Sequence, residues 1–122
     1  MIGRPAVHPM KDLCEYFQAA DVVIQSSLAE GAAFSTLEAL ACETPVIATD
    51  LGGMAVQLAG VAQLTPRQNP RAMADAIRWV ADHREEAAAQ ARKGREYVIA
   101  EWRREKAFGD LKAVLEKAAG RV

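Results

Sequence analysis

The sequence predicts an α/β protein: a Rossmann-like parallel sheet with helices on both faces and a helical C-terminal third. Three observations carry that prediction. Val22-Val23-Ile24 and Val46-Ile47-Ala48 are short β-branched runs without polar alternation, the pattern of strands buried on both faces. Stretches with helical apolar spacing separate them, and parallel strands need helical crossovers. Beyond Pro66 the chain reads as helix to its end.

Each element has a local cause. Gly3, Pro5 and Pro9 make the start irregular, with room for one short strand. Leu13, Cys14, Phe17 and Ala20 then fall on one helical face, and Pro9 suits the helix start. The first strand follows Asp21 and leads into a small, polar loop, Ser26 to Gly31. A helix from about Ser35 to Cys42 presents Leu37, Leu40 and Ala41, and Thr44-Pro45 ends it.

After the second strand, Asp50-Leu51-Gly52-Gly53 turns into a short helix near Met54 to Leu58, and Gln63-Leu64 is a third short strand. Met73, Ile77 and Val80 form an i, i+4, i+7 stripe on a helix begun by Pro70. His83 to Trp102 is rich in Ala, Glu, Arg and Gln, although Gly94 puts its continuity in question. A last helix from about Glu105 to Ala119 is expected to turn Phe108, Leu111, Val114 and Leu115 inward, with Gly120 as its stop. A doubly wound sheet usually has more strands, so residues 1–122 read as one partial domain, the second half of such a sheet.

Composition narrows the function classes. The 15 Lys and Arg against 16 Asp and Glu give a net charge of −1, so no field favours nucleic acid or an anionic membrane. An anion would have to be held by backbone dipoles and a few local cations. The N-terminus lacks the apolar run of a signal peptide and no segment is long enough to span a bilayer, so a cytoplasmic location is expected. The two cysteines, Cys14 and Cys42, are distant in sequence and read as buried thiols rather than a zinc site or a disulfide framework.

Ligands of parallel sheets bind outside the carboxyl ends of the strands. Two loops belong there, Gln25 to Phe34 and Thr49 to Met54. The first holds Glu30-Gly31-Ala32-Ala33-Phe34-Ser35-Thr36-Leu37-Glu38 and ends at a helix N-terminus, where free N–H groups and the helix dipole favour an anion such as a diphosphate. Gly31, Ala32 and Ala33 let a ligand approach the backbone. Ser35 and Thr36 are either N-caps or added phosphate donors. Glu30 and Glu38 each offer two acceptor oxygens, which suits vicinal sugar hydroxyls; the plainer reading is a loop acid and a helix-start acid that complements the dipole. Gly52-Gly53 can offer further N–H groups. His8, His83, Trp79, Trp102 and Asp21 read as surface, packing or turn residues.

The ordered series Ala19-Ala20-Asp21-Val22-Val23-Ile24, Ser26-Ser27-Leu28, Glu30-Gly31, Leu37-Glu38-Ala39-Leu40-Ala41-Cys42, Thr44-Pro45-Val46-Ile47-Ala48-Thr49-Asp50 and Gly52-Gly53 resembles the family 4 (group 1) glycosyltransferases, retaining enzymes of the GT-B fold. The resemblance runs from about Leu13 to Trp102 and beyond. It implies that the chain is part of a GT-B C-terminal domain that binds a nucleotide-sugar donor as substrate, with no cofactor and no metal. It implies an E-x7-E motif in which Glu30, with Gly31, Ala33 and Phe34, contacts the donor sugar. Ser35 and Thr36 lie at the diphosphate, and Glu38 holds the ribose.

The sequence also departs from the family pattern. Ala32-Ala33 stands where Phe-Gly is common, Glu43 where Gly is common, and no Glu follows Gly52-Gly53. The family's catalytic Arg and Lys and its acceptor domain have no counterpart here, so the catalytic residues are unassigned. A missing N-terminal domain or partner subunit is expected, and the isolated chain is expected to transfer little or nothing. The acceptor, nucleobase and sugar are not readable. The alternative is a non-catalytic association module of the same fold, for instance a homo-oligomer paired through the open sheet edge.

Overall fold

The computed structural model describes residues 10–29, 34–58 and 60–120. In order, the elements are α1 (Met10–Ala19), β1 (Val23–Gln25), α2 (Phe34–Ala41), β2 (Val46–Thr49), α3 (Gly53–Gln57), β3 (Gln63–Thr65), α4 (Pro70–Asp82), α5 (Arg84–Glu101) and α6 (Arg104–Ala118). The alternation predicted from hydrophobic periodicity is present, with boundaries shifted by one or two residues. The irregular start and His8 lie outside the described residues.

The three strands form one sheet in the order β1-β2-β3, and both pairings are parallel. Val23 stands opposite Val46, and Ala48 opposite Leu64. Every residue of β2 is buried, because it is the central strand and both of its faces are covered. Its side chains alternate accordingly. Val46 and Ala48 join Leu37, Leu40 and Leu58 in a core beneath α2, with Phe17 of α1 packed against it. Ile47 points the other way and meets Val80 and Ala87, with Met73 and Trp79 beside them.

β1 departs from the expectation of two-sided burial: Ile24 is 42% exposed. On the Ile47 side, α4 packs on β2 and β3 and leaves β1 open at the sheet edge. An apolar groove of about 420 Å³ runs between the segment leading into β1 and helices α4 and α5, lined by Val22, Ile77, Val80 and Ala87 among others. Ile77, the middle residue of the predicted α4 stripe, is therefore only partly covered. The start of α4 is as predicted. Pro70 opens it, and the Asn69 side chain accepts from the Ala72 N–H at 2.9 Å, satisfying one free donor of the first turn.

α5 is unbroken through Gly94, and the glycine has a packing reason. A Cβ at that position would lie 2.6 Å from Leu40 Cδ2, so its absence allows α5 to close on α2. The two helices run antiparallel: Phe34 meets Trp102 at one end, while Arg95 donates to the Ala41 carbonyl at the other. Nearer its start, α5 passes the amino ends of the strands. Arg84 pairs with Asp21 at 3.0 Å, and Gln90 accepts from Gln63 at 3.1 Å. One helix thus spans both faces of the sheet.

The expectation for the last helix is corrected. Phe108, Leu111, Val114 and Leu115 are all exposed, and no residue of α6 is buried among those described. Lys106 of α6 reaches Glu101 at the end of α5 at 3.3 Å, and Asp110 one turn further along its own helix at 3.1 Å. Those carboxylates, Asp110 first, hold the Lys106 ammonium above its usual range. No helix among the described residues is long and apolar enough to cross a membrane.

Candidate functional site

The carboxyl ends of all three strands open on the same side, as a parallel sheet requires. α2 begins there. Its buried side consists of Thr36, Leu37, Ala39 and Leu40, which leaves Ser35 and Glu38 together on another face, three residues apart. Ser35 is exposed and Glu38 half-buried. An acceptor-rich carboxylate and a hydroxyl therefore lie along one turn of helix at the ligand end of the sheet.

Ser35 does not cap its own helix through any described contact. Its hydroxyl donates to Gln25 Oε1 at 3.0 Å, and Gln25 Nε2 donates to Ser27 Oγ at 2.5 Å. The Gln25 carbonyl also lies 3.4 Å from the Thr49 hydroxyl. Gln25 therefore joins the end of β1, the loop after it, the first turn of α2 and the end of β2. Sequence reasoning gave it no role. The available signal was an amide at the last position of a strand entering a candidate ligand loop.

Thr36 is fully buried, so Ser35 is the residue that the first turn of α2 presents to an external anion. Phe34 is 60% exposed and sets its ring edge-on to Trp102, with centroids 6.3 Å apart at 88°. The contact brings the end of α5 to the start of α2, and Trp102 Nε1 donates to the Tyr97 hydroxyl at 3.3 Å. Glu30, Gly31 and Ala33, together with Ala32, lie outside the described residues.

The loop after β2 is folded on itself. Gly52 has φ +67° and donates its N–H to Asp50 Oδ1 at 3.3 Å, so the left-handed turn occupies a donor that the sequence offered to a ligand. Between this loop and the one after β1 lies a cleft of about 410 Å³, lined by Leu28, Ala29, Asp50, Leu51, Gly52 and Arg67. Arg67, just after β3, brings a cation to this rim, and sequence reasoning did not single it out. A neighbouring hollow of about 290 Å³ shares Leu28 and reaches Thr49 and Met73. Among the described residues, no three His, Cys, Asp or Glu side chains gather to hold a metal.

At the far end of α2 the chain leaves the helix through Glu43, whose φ is +57°. The Thr44 N–H bonds to the Ala39 carbonyl at 3.0 Å and the Glu43 N–H to the Leu40 carbonyl at 2.9 Å, the pairing of a Schellman stop. Glycine is the usual residue there, and Glu43 takes the left-handed conformation that strains a residue with a Cβ. Arg95 lies 3.9 Å from the Glu43 carboxylate and places a cation at the helix C-terminus.

The two cysteines, distant in sequence, share this end of α2. Both are half-buried rather than buried. The Cys42 thiol is pushed above its ordinary range by burial first and by its hydrogen bond to Cys14 second. Arg95 opposes the shift, and Glu38 adds to it. His83, at the junction of α4 and α5, stacks on Trp79 at 5.0 Å and brings its Nδ1 within 2.9 Å of the Trp79 carbonyl, a packing role.

The sequence matches the family described as "Glycosyl transferases group 1" over residues 6–97. It is 40% identical over 91 residues to a D-inositol 3-phosphate glycosyltransferase of Geodermatophilus obscurus, covering 73% of this chain and 20% of that protein. A protein of the same name from Saccharomonospora viridis is 37% identical over 99 residues, covering 77% of this chain and 22% of that protein. Among solved structures, sucrose-phosphate synthase from Thermosynechococcus elongatus superposes with a TM-score of 0.78 at 32% identity, covering 88% of this chain and 28% of that one. The chain thus spans about a fifth of the length of the curated relatives it matches. Its fold is that of part of a GT-B Rossmann-like domain.

Proposed function

The chain belongs to the group 1 glycosyl transferases, and from that premise we propose that it forms the nucleotide-sugar-binding part of a retaining, family 4 enzyme. In this reading Glu38 accepts hydrogen bonds from the ribose hydroxyls. The diphosphate lies over the first turn of α2, against the Ser35 hydroxyl and backbone N–H, with Thr36 directly behind them. Glu30, Gly31, Ala33 and Phe34 serve the transferred sugar. No metal or cofactor is required, because the helix dipole and local donors offset the diphosphate charge. The complete enzyme moves the sugar to an acceptor held largely outside this chain, and this chain alone transfers little or none.

The observation that carries this reading is the placement of Ser35 and Glu38 on one open face of α2, at the carboxyl end of the sheet. The test is isothermal titration of the chain with UDP, GDP and ADP, repeated with Glu38→Ala. One of the nucleotides should bind. Losing a carboxylate that accepts two hydroxyl hydrogen bonds should weaken that binding by roughly ten- to a hundredfold, since bonds to charged groups contribute about 1.5–3 kcal/mol. No binding by the wild type, or binding indifferent to Glu38→Ala, sinks the assignment.

A second reading, a non-catalytic association module, draws on the open edge of β1 and the uncovered apolar side chains of α6. Light scattering after size exclusion separates the two. A stable oligomer without nucleotide affinity favours association, and a monomer that binds nucleotide favours the donor site.

A further inference from the structure

We propose that Gln25 is a positioning residue of the diphosphate subsite. Its side-chain amide holds the Ser35 hydroxyl while the site is empty and reverses when a nucleoside diphosphate arrives, turning that hydroxyl into a donor. This rests on the donor reading above and adds a residue to it. Ser35 is the hydroxyl that the first turn of α2 presents to an anion, because Thr36 is buried. A hydroxyl carries one proton. Here that proton is committed, since Ser35 Oγ donates to Gln25 Oε1 at 3.0 Å. A diphosphate offers acceptor oxygens, so Ser35 serves it only once the proton is released from Gln25.

Swinging the hydroxyl away would cost the Gln25 carbonyl oxygen a hydrogen bond in a half-buried place. A glutamine provides another route. Its amide carries an acceptor on one side and a donor on the other, and rotation about its last bond exchanges them at little cost. Reversed, Nε2 donates to Ser35 Oγ, and Oε1 accepts from the Ser27 hydroxyl, which in the present orientation accepts from Nε2 at 2.5 Å. Both serines keep Gln25 as partner, and the Ser35 proton turns to the ligand.

The chain of bonds then runs from Ser27 through Gln25 and Ser35 to the phosphate. Each hydroxyl proton is aimed by the bonds behind it, and the last bond is charge-assisted. The backbone need not move. Gln25 ends β1, and its carbonyl accepts from the Thr49 hydroxyl at 3.4 Å, so the amide is anchored to the sheet. From there it fixes a side chain ten residues further along the chain. An ionised glutamate at this position could only accept, and a leucine could do neither.

The test titrates the full chain calorimetrically with UDP, GDP and ADP. The nucleotide that binds is carried to Gln25→Met, Ser35→Ala, their double variant and Glu38→Ala, each checked for folding by far-ultraviolet circular dichroism. Methionine keeps the unbranched shape of glutamine without its amide. Gln25→Met should weaken binding by about three- to tenfold, the cost of ordering a side chain that was held in advance. In the Ser35→Ala background the same change should have no effect, because no hydroxyl is left to position. Gln25→Met binding as tightly as the wild type or more tightly, or acting in full without Ser35, would overturn the proposal. A glutamine that merely cross-links the loop gives that last result.

The wild type supplies a reading that does not depend on the folding of any variant. Reversal moves the Gln25 amide protons from Ser27 to Ser35, so their proton–nitrogen correlation peaks should shift on saturation with the nucleotide. Peaks that stay in place rule the reversal out. Glu38→Ala keeps the two failures apart. Weakened binding there, with Gln25→Met unchanged, removes the role of Gln25 alone. No binding by the wild type, or indifference to Glu38→Ala, removes the donor reading and this role together.

Discussion

Gly94 is the sharpest structural commitment in the molecule, and Gly94→Ala tests it. In a helix interior open to solvent, this change gains about 0.8–1.0 kcal/mol from helix propensity alone. Here the added methyl would stand 2.6 Å from Leu40 Cδ2, 3.2 Å from Cγ and 3.3 Å from Cβ. The Cδ2 atom could swing aside in an open environment. Leu40 is completely buried, however, and packs with Leu37, Val46 and Leu58, so no free volume receives it. The Cβ and Cγ atoms follow the α2 backbone, and relief therefore requires α5 to move away from α2.

Overpacking of this kind costs about 1–3 kcal/mol. Set against the propensity gain, and with the clash at the severe end of that range, Gly94→Ala should destabilise the chain by about 1–2 kcal/mol. Urea unfolding followed at 222 nm reads this directly. A double-mutant cycle identifies the cause. In a Leu40→Ala background the two nearest clashing atoms are gone, and Gly94→Ala should become neutral or stabilising by up to about 1 kcal/mol. A wild-type-background Gly94→Ala as stable as the parent, or a cycle with no coupling, would refute the close approach of α2 and α5.

Two smaller effects follow from the helix ends. Glu43→Gly relieves the left-handed strain at the α2 stop while giving up an exposed ion pair with Arg95 and some unfolded-state entropy. A net gain of about 0.5 kcal/mol is expected by the same urea assay, and a loss would mean that Arg95 contributes more than the backbone strain costs. Asn69→Ala removes the acceptor for the Ala72 N–H at the start of α4 and should cost about 1 kcal/mol, whereas Asn69→Asp should cost much less.

The elements were legible because hydrophobic periodicity is local. Val46-Ile47-Ala48 announces a strand buried on both faces, and it is one, buried along its whole length. Periodicity shows which side of an element is apolar, but not whether anything covers it. That is why β1, which opens with the same Val-Ile pair as β2, leaves Ile24 exposed at the sheet edge, and why the apolar residues of α6 face outward. Contacts between remote segments were equally out of reach. Nothing in the spacing of Cys14 and Cys42 foretells that α1 and α2 share a sheet face. Gly94 read as a weakness in a helix until Leu40 gave it a reason.

At the candidate site, the sequence pattern placed Ser35 and Glu38 at the start of a helix beside a strand end, where they are found. It could not tell that Thr36 turns inward, that Gly52 spends its N–H on Asp50, or that Gln25 ties the neighbouring segments together. Those distinctions depend on which way a helix is rotated against its core, a property of packing rather than of spacing.

The path of α5 has a consequence for how the chain comes apart. Ala87 belongs to the core on the α4 side of the sheet, while Tyr97 and Val98 pack on the core beneath α2. The two cores are thus threaded on one continuous helix, and neither can lose order without loosening the rigid rod that the other needs. Amide protection on the two sides of the sheet should accordingly converge on a single opening free energy, making the two faces one cooperative unit.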